Sequence, residues 1–169
     1  MRVKFIAGMC AVFILTGCAG QVIPISREFH PEEAKRLAAP GPNIISGSAL
    51  IRQQGGGVVT CAGLPINLIP KTAYATERME AIWGNSVKGY APAYSMQMTF
   101  TPDPPGYHQH ASHTRCDAQG NFQFPNVADG EFYLVSVITW VVARQAQGGG
   151  MMQAISVNGG EAKEVVLSP

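Results

Sequence analysis

Three of the four histidines in the chain lie within six positions, in the segment His108-x-His110-x-x-His113. Imidazole nitrogens are common ligands of zinc and copper. Side chains two positions apart on an extended segment point to the same side, so His108, His110 and His113 are candidate metal ligands. The segment follows Pro104-Pro105-Gly106, and no carboxylate pattern completes a tetrahedral set. A solvated loop is therefore the alternative interpretation.

A second residue with chemical potential is Cys18, which ends the string Leu15-Thr16-Gly17-Cys18. Arg2 and Lys4 begin the chain, and an apolar run over residues 5–15 follows them. The run is well short of the roughly 20 residues that span a bilayer. A basic start, a short apolar run and small residues at its end are typical of a secretory signal peptide. A signal cleaved elsewhere and a short uncleaved anchor are the alternatives.

The string that ends at Cys18 resembles the lipobox of bacterial lipoproteins. The resemblance implies that residues 1–17 are a removed signal peptide and that Cys18 becomes the acylated N-terminus. Its sulfur would carry a diacylglycerol as a thioether, and two or more acyl chains hold a protein stably on a membrane. Ala19, not Asp, follows the cysteine, which in this family implies export to the outer membrane. We therefore expect a lipid-anchored protein that faces the periplasm.

The lipoprotein interpretation also accounts for the other cysteines. Cys10 would leave with the signal peptide and Cys18 would be acylated, so Cys61 and Cys116 are left as one pair in an oxidising compartment. A disulfide between them would join residues 55 positions apart. The chain-entropy model gives such a bond about 4 kcal/mol of stabilisation. Two buried free thiols are the alternative.

The charge balance argues against some partners. The chain has 12 basic and 11 acidic residues, and without Arg2 and Lys4 the acidic residues exceed the basic ones by one. That balance gives no electrostatic reason to bind nucleic acid or anionic lipid headgroups. The length suits one domain with a proper core, and the 19 glycines lie largely between apolar runs, as turns of an all-β protein would.

Residues 18–44 are predicted to form a lipidated tether interrupted by prolines, with one short helix over residues 31–39. Pro31 suits the first helical position, with acidic residues after it and basic residues near the end. The tether either spaces the following domain from the membrane or packs on it. His30 and Glu33 match the H-x-x-E spacing of zinc carboxypeptidase ligands. No sheet precedes them to position such a site, so a helix start is the better interpretation.

Residues 45–169 are predicted to form one strand-rich domain. A helix is expected over Thr72–Trp83, with Thr72 as its N-cap and Gly84 as its C-cap. Its apolar face would carry Ala75, Met79, Ile82 and Trp83. After an irregular stretch, alternating apolar residues predict a strand over Tyr94–Thr101.

The C-terminal third has the clearest strand pattern. Residues 132–142 are apolar on both faces, which predicts a central strand. Asn158-Gly159-Gly160 predicts a hairpin that joins strands over residues 151–157 and 162–167. Six or seven strands at this spacing favour a sandwich.

Two motifs resemble the carboxypeptidase regulatory-like domain: Asp117-x-x-Gly120-x-Phe122-x-Phe124 and Gly130-x-Phe132-Tyr133-Leu134-Val135. Gly47-x-Ala49 and the strand over residues 65–70 look like the first strands of that domain. The resemblance covers residues 45–167 and implies an Ig-like or prealbumin-like β-sandwich of about seven strands. The chain departs from the family by an insertion over about residues 71–112. In metallocarboxypeptidases this domain accompanies a separate catalytic domain, so the resemblance implies a non-catalytic role.

Tyr90, Tyr94 and Tyr107 are candidate glycan contacts, because exposed aromatic rings stack on sugars in starch-binding relatives of this fold. Packing of Tyr90 and Tyr94 at the edge of the sandwich is the alternative, and Trp83 and Trp140 fit core positions better. The sequence shows no nucleophile elbow, phosphate loop or dinucleotide fingerprint.

These patterns predict a non-enzymatic envelope lipoprotein without a cofactor, in a structural or recognition role. Its expected partners are a membrane, through the lipid, and an envelope protein or glycan. A glycan- or metal-binding module is the alternative, and an enzyme comes third. A concave surface that joins Tyr107 to the histidines would favour a binding module. A flat apolar patch or a free sheet edge would favour a structural role, and a deep pocket of convergent polar groups would favour an enzyme.

Overall fold

The structure, a computed structural model, describes residues 21–169 of the chain. The predicted signal peptide and Cys18 lie outside the described residues. The strands are β1 (Gln21–Pro24), β2 (Pro40–Arg52), β3 (Val58–Thr60), β4 (Pro65–Pro70), β5 (Lys88–Pro92), β6 (Met98–Thr101), β7 (Ser112–Arg115), β8 (Asn121–Val127), β9 (Gly130–Val142), β10 (Gln145–Val157) and β11 (Ala162–Leu167). The helices are α1 (Pro31–Ala38), α2 (Ala73–Trp83) and α3 (Pro105–Gln109), and a 3-10 turn spans Ala93–Ser95.

The strands form a β-sandwich of two principal sheets. The larger sheet has the order β5-β10-β9-β4-β7, and in the smaller sheet β2 pairs with β11, β3 and β8. A third, two-stranded sheet pairs β1 with β6 in parallel. The predicted all-β sandwich is confirmed. The described residues contain more strands than the seven expected, because the segment before residue 40 and the insertion over residues 71–112 both contribute strands.

The main core lies between the two principal sheets. Alternate residues of the facing strands point inward and are buried, as the two-residue period of a strand requires. They include Ile45, Ala49, Ile66, Leu68, Phe122, Phe124, Phe132, Leu134, Ile138, Val165 and Leu167. β9 lies between β10 and β4, so its predicted central position is confirmed.

Helix α2 covers the outer face of the larger sheet and forms a second apolar cluster there. The Thr72 hydroxyl accepts a hydrogen bond from the Ala75 amide at 3.2 Å, and Gly84 ends the helix in the left-handed conformation. The predicted helix and both caps are thus confirmed. The buried face is rotated from the predicted one, because the insertion also supplies aromatic partners. Tyr74 and Arg78 are buried, whereas Ile82 and Trp83 are half-buried.

The segment before β2 packs on the domain, the second of the two roles predicted for a tether. Ile25 is buried in the second cluster, and the Phe29 ring lies edge-on to Tyr74 with ring centroids 5.7 Å apart. β2 already begins at Pro40, so the predicted boundary at residue 44 is wrong. Apolar side chains among the prolines make this segment part of the fold. The helix predicted over residues 31–39 is confirmed as α1.

The predicted hairpin between β10 and β11 is wrong. β11 crosses to the smaller sheet and pairs in parallel with β2, where Val165 lies opposite Gly47. The Asn43 side-chain oxygen holds this crossing by accepting hydrogen bonds from the Gly160 and Glu161 amides. The Asn-Gly-Gly signal locates a change of direction, and it does not specify the strand that the chain pairs with next.

β10 instead forms a hairpin with β9, through a two-residue turn. Val142 pairs with Gln145, and Ala143 and Arg144 form the turn with φ angles of 48° and 68°. Two positive φ angles match a type I′ turn, which usually carries Asn-Gly. Without that dipeptide the sequence gives no hairpin signal at this position.

The predicted disulfide is confirmed. Cys61 and Cys116 are bonded, with Cα atoms 5.7 Å apart, and both residues are buried. The bond fastens the chain after β3 in the smaller sheet to the end of β7, an edge strand of the larger sheet. It therefore fixes the position of β7, which carries part of the site described below.

Candidate ligand-binding groove

A concave surface on the outer side of the larger sheet joins α2, α3, β4, β7 and β9. Its cavity volume is about 350 Å³. An adjoining depression of about 470 Å³ shares Asn67 and His113 with it and extends to Arg115. We call the two together the groove. Its lining residues are Pro65, Asn67, Ile69, Arg78, Met79, Ile82, Trp83, Met96, Tyr107, His108, Ala111, His113, Thr114, Arg115 and Val135.

Trp83 is a half-buried aromatic residue that lines the groove. The last turn of α2 presses it against the sheet, where a Cβ atom on Gly89 would lie only 2.3 Å from the Trp83 Cβ. The indole nitrogen donates a long hydrogen bond of 3.5 Å to the Gly150 carbonyl. Because glycines occupy the sheet beneath it, the ring packs closely at one side and lines the groove.

Arg78 is a fixed part of the groove wall. Its guanidinium carbon lies 4.0 Å from the Phe100 ring centroid and 4.4 Å from that of Tyr107. Nη1 donates hydrogen bonds to Asp103 Oδ1 at 2.5 Å and to the Tyr74 hydroxyl oxygen at 3.1 Å. Two aromatic faces and one carboxylate therefore compensate the buried charge.

Tyr107 also lines the groove, but the expectation that it is an exposed aromatic residue is wrong. Only 7% of the residue is exposed, because α3 turns its ring inward against Phe29 and Tyr74. Burial raises the pKa of Tyr107 to about 12. The hydroxyl therefore stays protonated at neutral pH and keeps its capacity to donate a hydrogen bond.

The structure separates the three histidines. His108 lies on α3 with Nε2 3.2 Å from Asp103 Oδ1, His110 stacks against Phe29, and His113 lies on β7 opposite Asn67. The extended geometry expected for this segment is wrong, because residues 105–109 are helical. Among residues 21–169, no group of three or more His, Cys, Asp or Glu side chains is placed to hold a metal ion.

His108 and His113 nevertheless lie in the groove together with Tyr107. A concave surface that joins Tyr107 to histidines is the feature expected of a binding module. Tyr90 and Tyr94 are 39% and 81% exposed, but neither lines the groove.

The contributions of Asn67, Arg78 and Trp83 to this surface were not predicted from the sequence. Asn67 carried a usable signal, because it alternates with buried Ile66 and Leu68 and so must face away from the main core. The role of Arg78 depends on contacts with Phe100, Asp103 and Tyr107, which follow it by more than 20 residues, and no local pattern predicts them.

A second concave surface lies on the outer side of the smaller sheet. It has a volume of about 690 Å³ and meets the groove at Thr114 and Arg115. Its other lining residues are Ser46, Gly47, Ser48, Asp117, Asn121, Phe122, Gln123 and Glu164. Phe122, its aromatic residue, is buried. This surface is polar and lacks the half-exposed aromatic ring that the groove has.

No family model matches the chain, and no curated protein matches its sequence. Among solved structures, the chain is similar to a crystal structure from Pseudomonas aeruginosa of a candidate carbohydrate-binding protein. The TM-score is 0.68 at 20% sequence identity, and the match covers 85% of this chain and 99% of the other. The two chains share a fold over most of their length. In the part of the chain that the structure describes, no helix is long and apolar enough to cross a membrane.

Proposed function

We propose that the protein is a non-catalytic glycan-binding module of the bacterial cell envelope. The observation that carries the proposal is the groove, which brings the half-buried ring of Trp83 together with the polar side chains of Asn67, His108 and His113. Ligand sites are typically largely apolar surfaces with a few convergent polar groups.

The chemistry of a sugar ring suits this combination. One face of the ring presents C–H groups that pack on an aromatic surface, and its hydroxyls need both donors and acceptors. The Asn67 amide supplies both kinds of group, and the ring nitrogens of His113 can also form hydrogen bonds with hydroxyls. The fold shared with a candidate carbohydrate-binding protein adds support.

The absence of acidic side chains from the groove supports binding without hydrolysis. Of the described residues that line it, none is Asp or Glu. Glycoside hydrolysis generally needs a pair of carboxyl groups that flank the scissile bond. The groove therefore has the composition of a recognition surface.

The envelope location rests on the lipobox-like string that ends at Cys18. We propose that an acylated Cys18 anchors the protein in the outer membrane and that residues 45–167 are a carboxypeptidase regulatory-like domain. The disulfide adds support, because such bonds persist in oxidising compartments.

A structural role is the second candidate, and the exposed valines of β9 favour it. Val141 and Val142 are exposed beside the β9–β10 turn, and Val137 is exposed further along β9; Val141 is 73% exposed. Cross-linking in intact cells tests this candidate: capture of one envelope protein through the β9–β10 turn would support it.

Calorimetric titration of the purified protein with a panel of neutral and acidic oligosaccharides tests the glycan proposal. The double substitution Asn67→Ala and His113→Ala should weaken binding at least tenfold, because it removes the polar groups that the two depressions share. Gln123→Ala, on the outer face of the smaller sheet, is the matched control and should bind like the parent. The proposal fails if no oligosaccharide binds, or if the double variant keeps its thermal transition and the parent's affinity.

A further inference from the structure

We infer that the groove prefers acidic glycans, whose sugar rings carry carboxylates. This inference rests on the proposed function and names the ligand class of the same groove. It goes beyond the proposal because it assigns a specific role to Arg115, at the end of the groove away from Trp83.

The groove collects basic groups and excludes acidic ones. Arg78, His108, His113 and Arg115 line it, and none of the described lining residues is acidic. The chain as a whole has more acidic than basic residues once Arg2 and Lys4 are set aside. The basic lining is therefore a local feature and does not reflect the overall composition.

Among the basic residues of the groove, Arg115 carries a positive charge that no carboxylate of the described residues neutralises through an ion pair. Arg78 is compensated by Asp103, and His108 also contacts that carboxylate. Arg115 is exposed, and within residues 21–169 it forms no ion pair. Its Nη1 donates one hydrogen bond, to the Gly63 carbonyl at 2.9 Å. A guanidinium has five donors in a planar fork that matches a carboxylate, so most of its donors are left for a ligand.

The nearest acidic residue along the chain, Asp117, is engaged elsewhere. Its carboxylate accepts hydrogen bonds from the Gln119 and Asn121 amides at 2.9 and 2.8 Å. These bonds close the turn that leads into β8, and Asp117 lines the polar surface of the other sheet. Arg115 also lines that polar surface, with Asp117 and Glu164, whereas no carboxylate is among the described residues that line the groove on its other side.

Strand geometry places the charge in line with the rest of the site. His113 and Arg115 alternate along β7 and so lie on the same face, opposite Asn67 and Pro65 of β4. Alternate side chains of a strand are about 7 Å apart. A glycan chain can thus contact Trp83 at one end, Asn67 and His113 in the middle, and Arg115 through a carboxylate at the other end.

The test compares tetragalacturonate with the same tetrasaccharide after its carboxylates have been reduced to hydroxymethyl groups. We expect the parent protein to bind the acidic form at least tenfold more tightly at low salt. Arg115→Gln should reduce this preference to less than threefold, because it should weaken binding of the acidic form far more than binding of the reduced form. Arg115→Lys should keep part of the preference, because it retains the charge and loses the planar fork.

Arg144→Gln is the matched control, since it removes an exposed cation from the β9–β10 turn outside the groove. It should keep the full preference, and thermal unfolding should show that each variant is folded. If the parent binds both tetrasaccharides equally, or if Arg144→Gln loses as much preference as Arg115→Gln, the inference is wrong and the proposed glycan-binding function stands. If the parent binds neither these nor any other oligosaccharide, the proposed function itself is wrong.

Discussion

Glu77 shows how a single side chain on α2 holds the N-terminal segment in place. Its carboxylate accepts hydrogen bonds from the Ser26 amide at 3.0 Å and from the Arg27 amide at 2.7 Å. The Ser26 amide is the main cause that lowers the pKa of Glu77 below its ordinary value of 4.5. The contact therefore links α2 to the segment that leads back towards Cys18.

This contact predicts how stability depends on pH. Because the pKa of Glu77 is lower in the folded protein, its contribution is present above pH 4.5 and is lost as the pH falls through the folded value. When the pH falls from about 5 to about 3, the unfolding free energy of Glu77→Gln should therefore decrease less than that of the parent. Urea unfolding across this range measures it, with Glu80→Gln on the same helix as the control. An unchanged pH dependence in Glu77→Gln would contradict the assignment.

Some residues of the site could be predicted from the sequence and others could not. Asn67 alternates with buried residues, so it has a local signal, as does Thr72, which caps α2 outside the groove. The inward turn of Tyr107 has none, because it depends on Phe29 and Tyr74, which are distant in the chain. The histidine spacing was misleading because a short helix, not a strand, carries His108.

At the scale of elements, helices and strands with local sequence signals could be predicted, whereas pairings between distant segments could not. α2, α1 and the central β9 have periodicity, caps or continuous apolar runs of their own. The parallel pairings of β11 with β2 and of β1 with β6 join segments far apart in sequence. Partner choice in a sheet depends on the whole layer, so no turn motif could specify it.

The β9–β10 turn gives a prediction at this scale. Ala143 and Arg144 adopt positive φ angles, which cost free energy in residues with a Cβ atom. Arg144→Gly should therefore raise the unfolding free energy by about 1 kcal/mol. Thermal and urea unfolding measure the change.

Arg144→Ala is the control for that experiment, because it removes the charge and keeps the Cβ atom. It should give little or no stabilisation. Equal stability of the two variants would show that the turn is not strained at residue 144.

At the scale of the whole molecule, the position of β1 changes the expected relation to the membrane. β1 begins at Gln21, three positions after Cys18, and it is paired with β6. Three residues reach at most about 10 Å when fully extended. An acylated Cys18 would thus hold the sandwich directly at the lipid surface, with no long tether between them.

The anchor itself is testable by fractionation. Cys18→Ser removes the sulfur that would carry the diacylglycerol, so the protein should move from the membrane fraction to the soluble periplasmic fraction. Cys61→Ser with Cys116→Ser is the control, since it removes the disulfide and leaves the lipobox-like string intact. Retention of Cys18→Ser on the membrane would contradict the anchor.

The most direct test of whether the groove binds glycans is a nuclear magnetic resonance titration. The isotope-labelled protein is titrated with an oligosaccharide that it binds. The largest changes in chemical shift should fall on the Trp83 indole and on the amides of Asn67 and His113. Signals of Ser46 and Gln123, on the other sheet, and of Val141, at the β9–β10 turn, should stay unchanged. Saturable changes at Ser46, Gln123 or Val141, with none in the groove, would show that the glycan binds elsewhere.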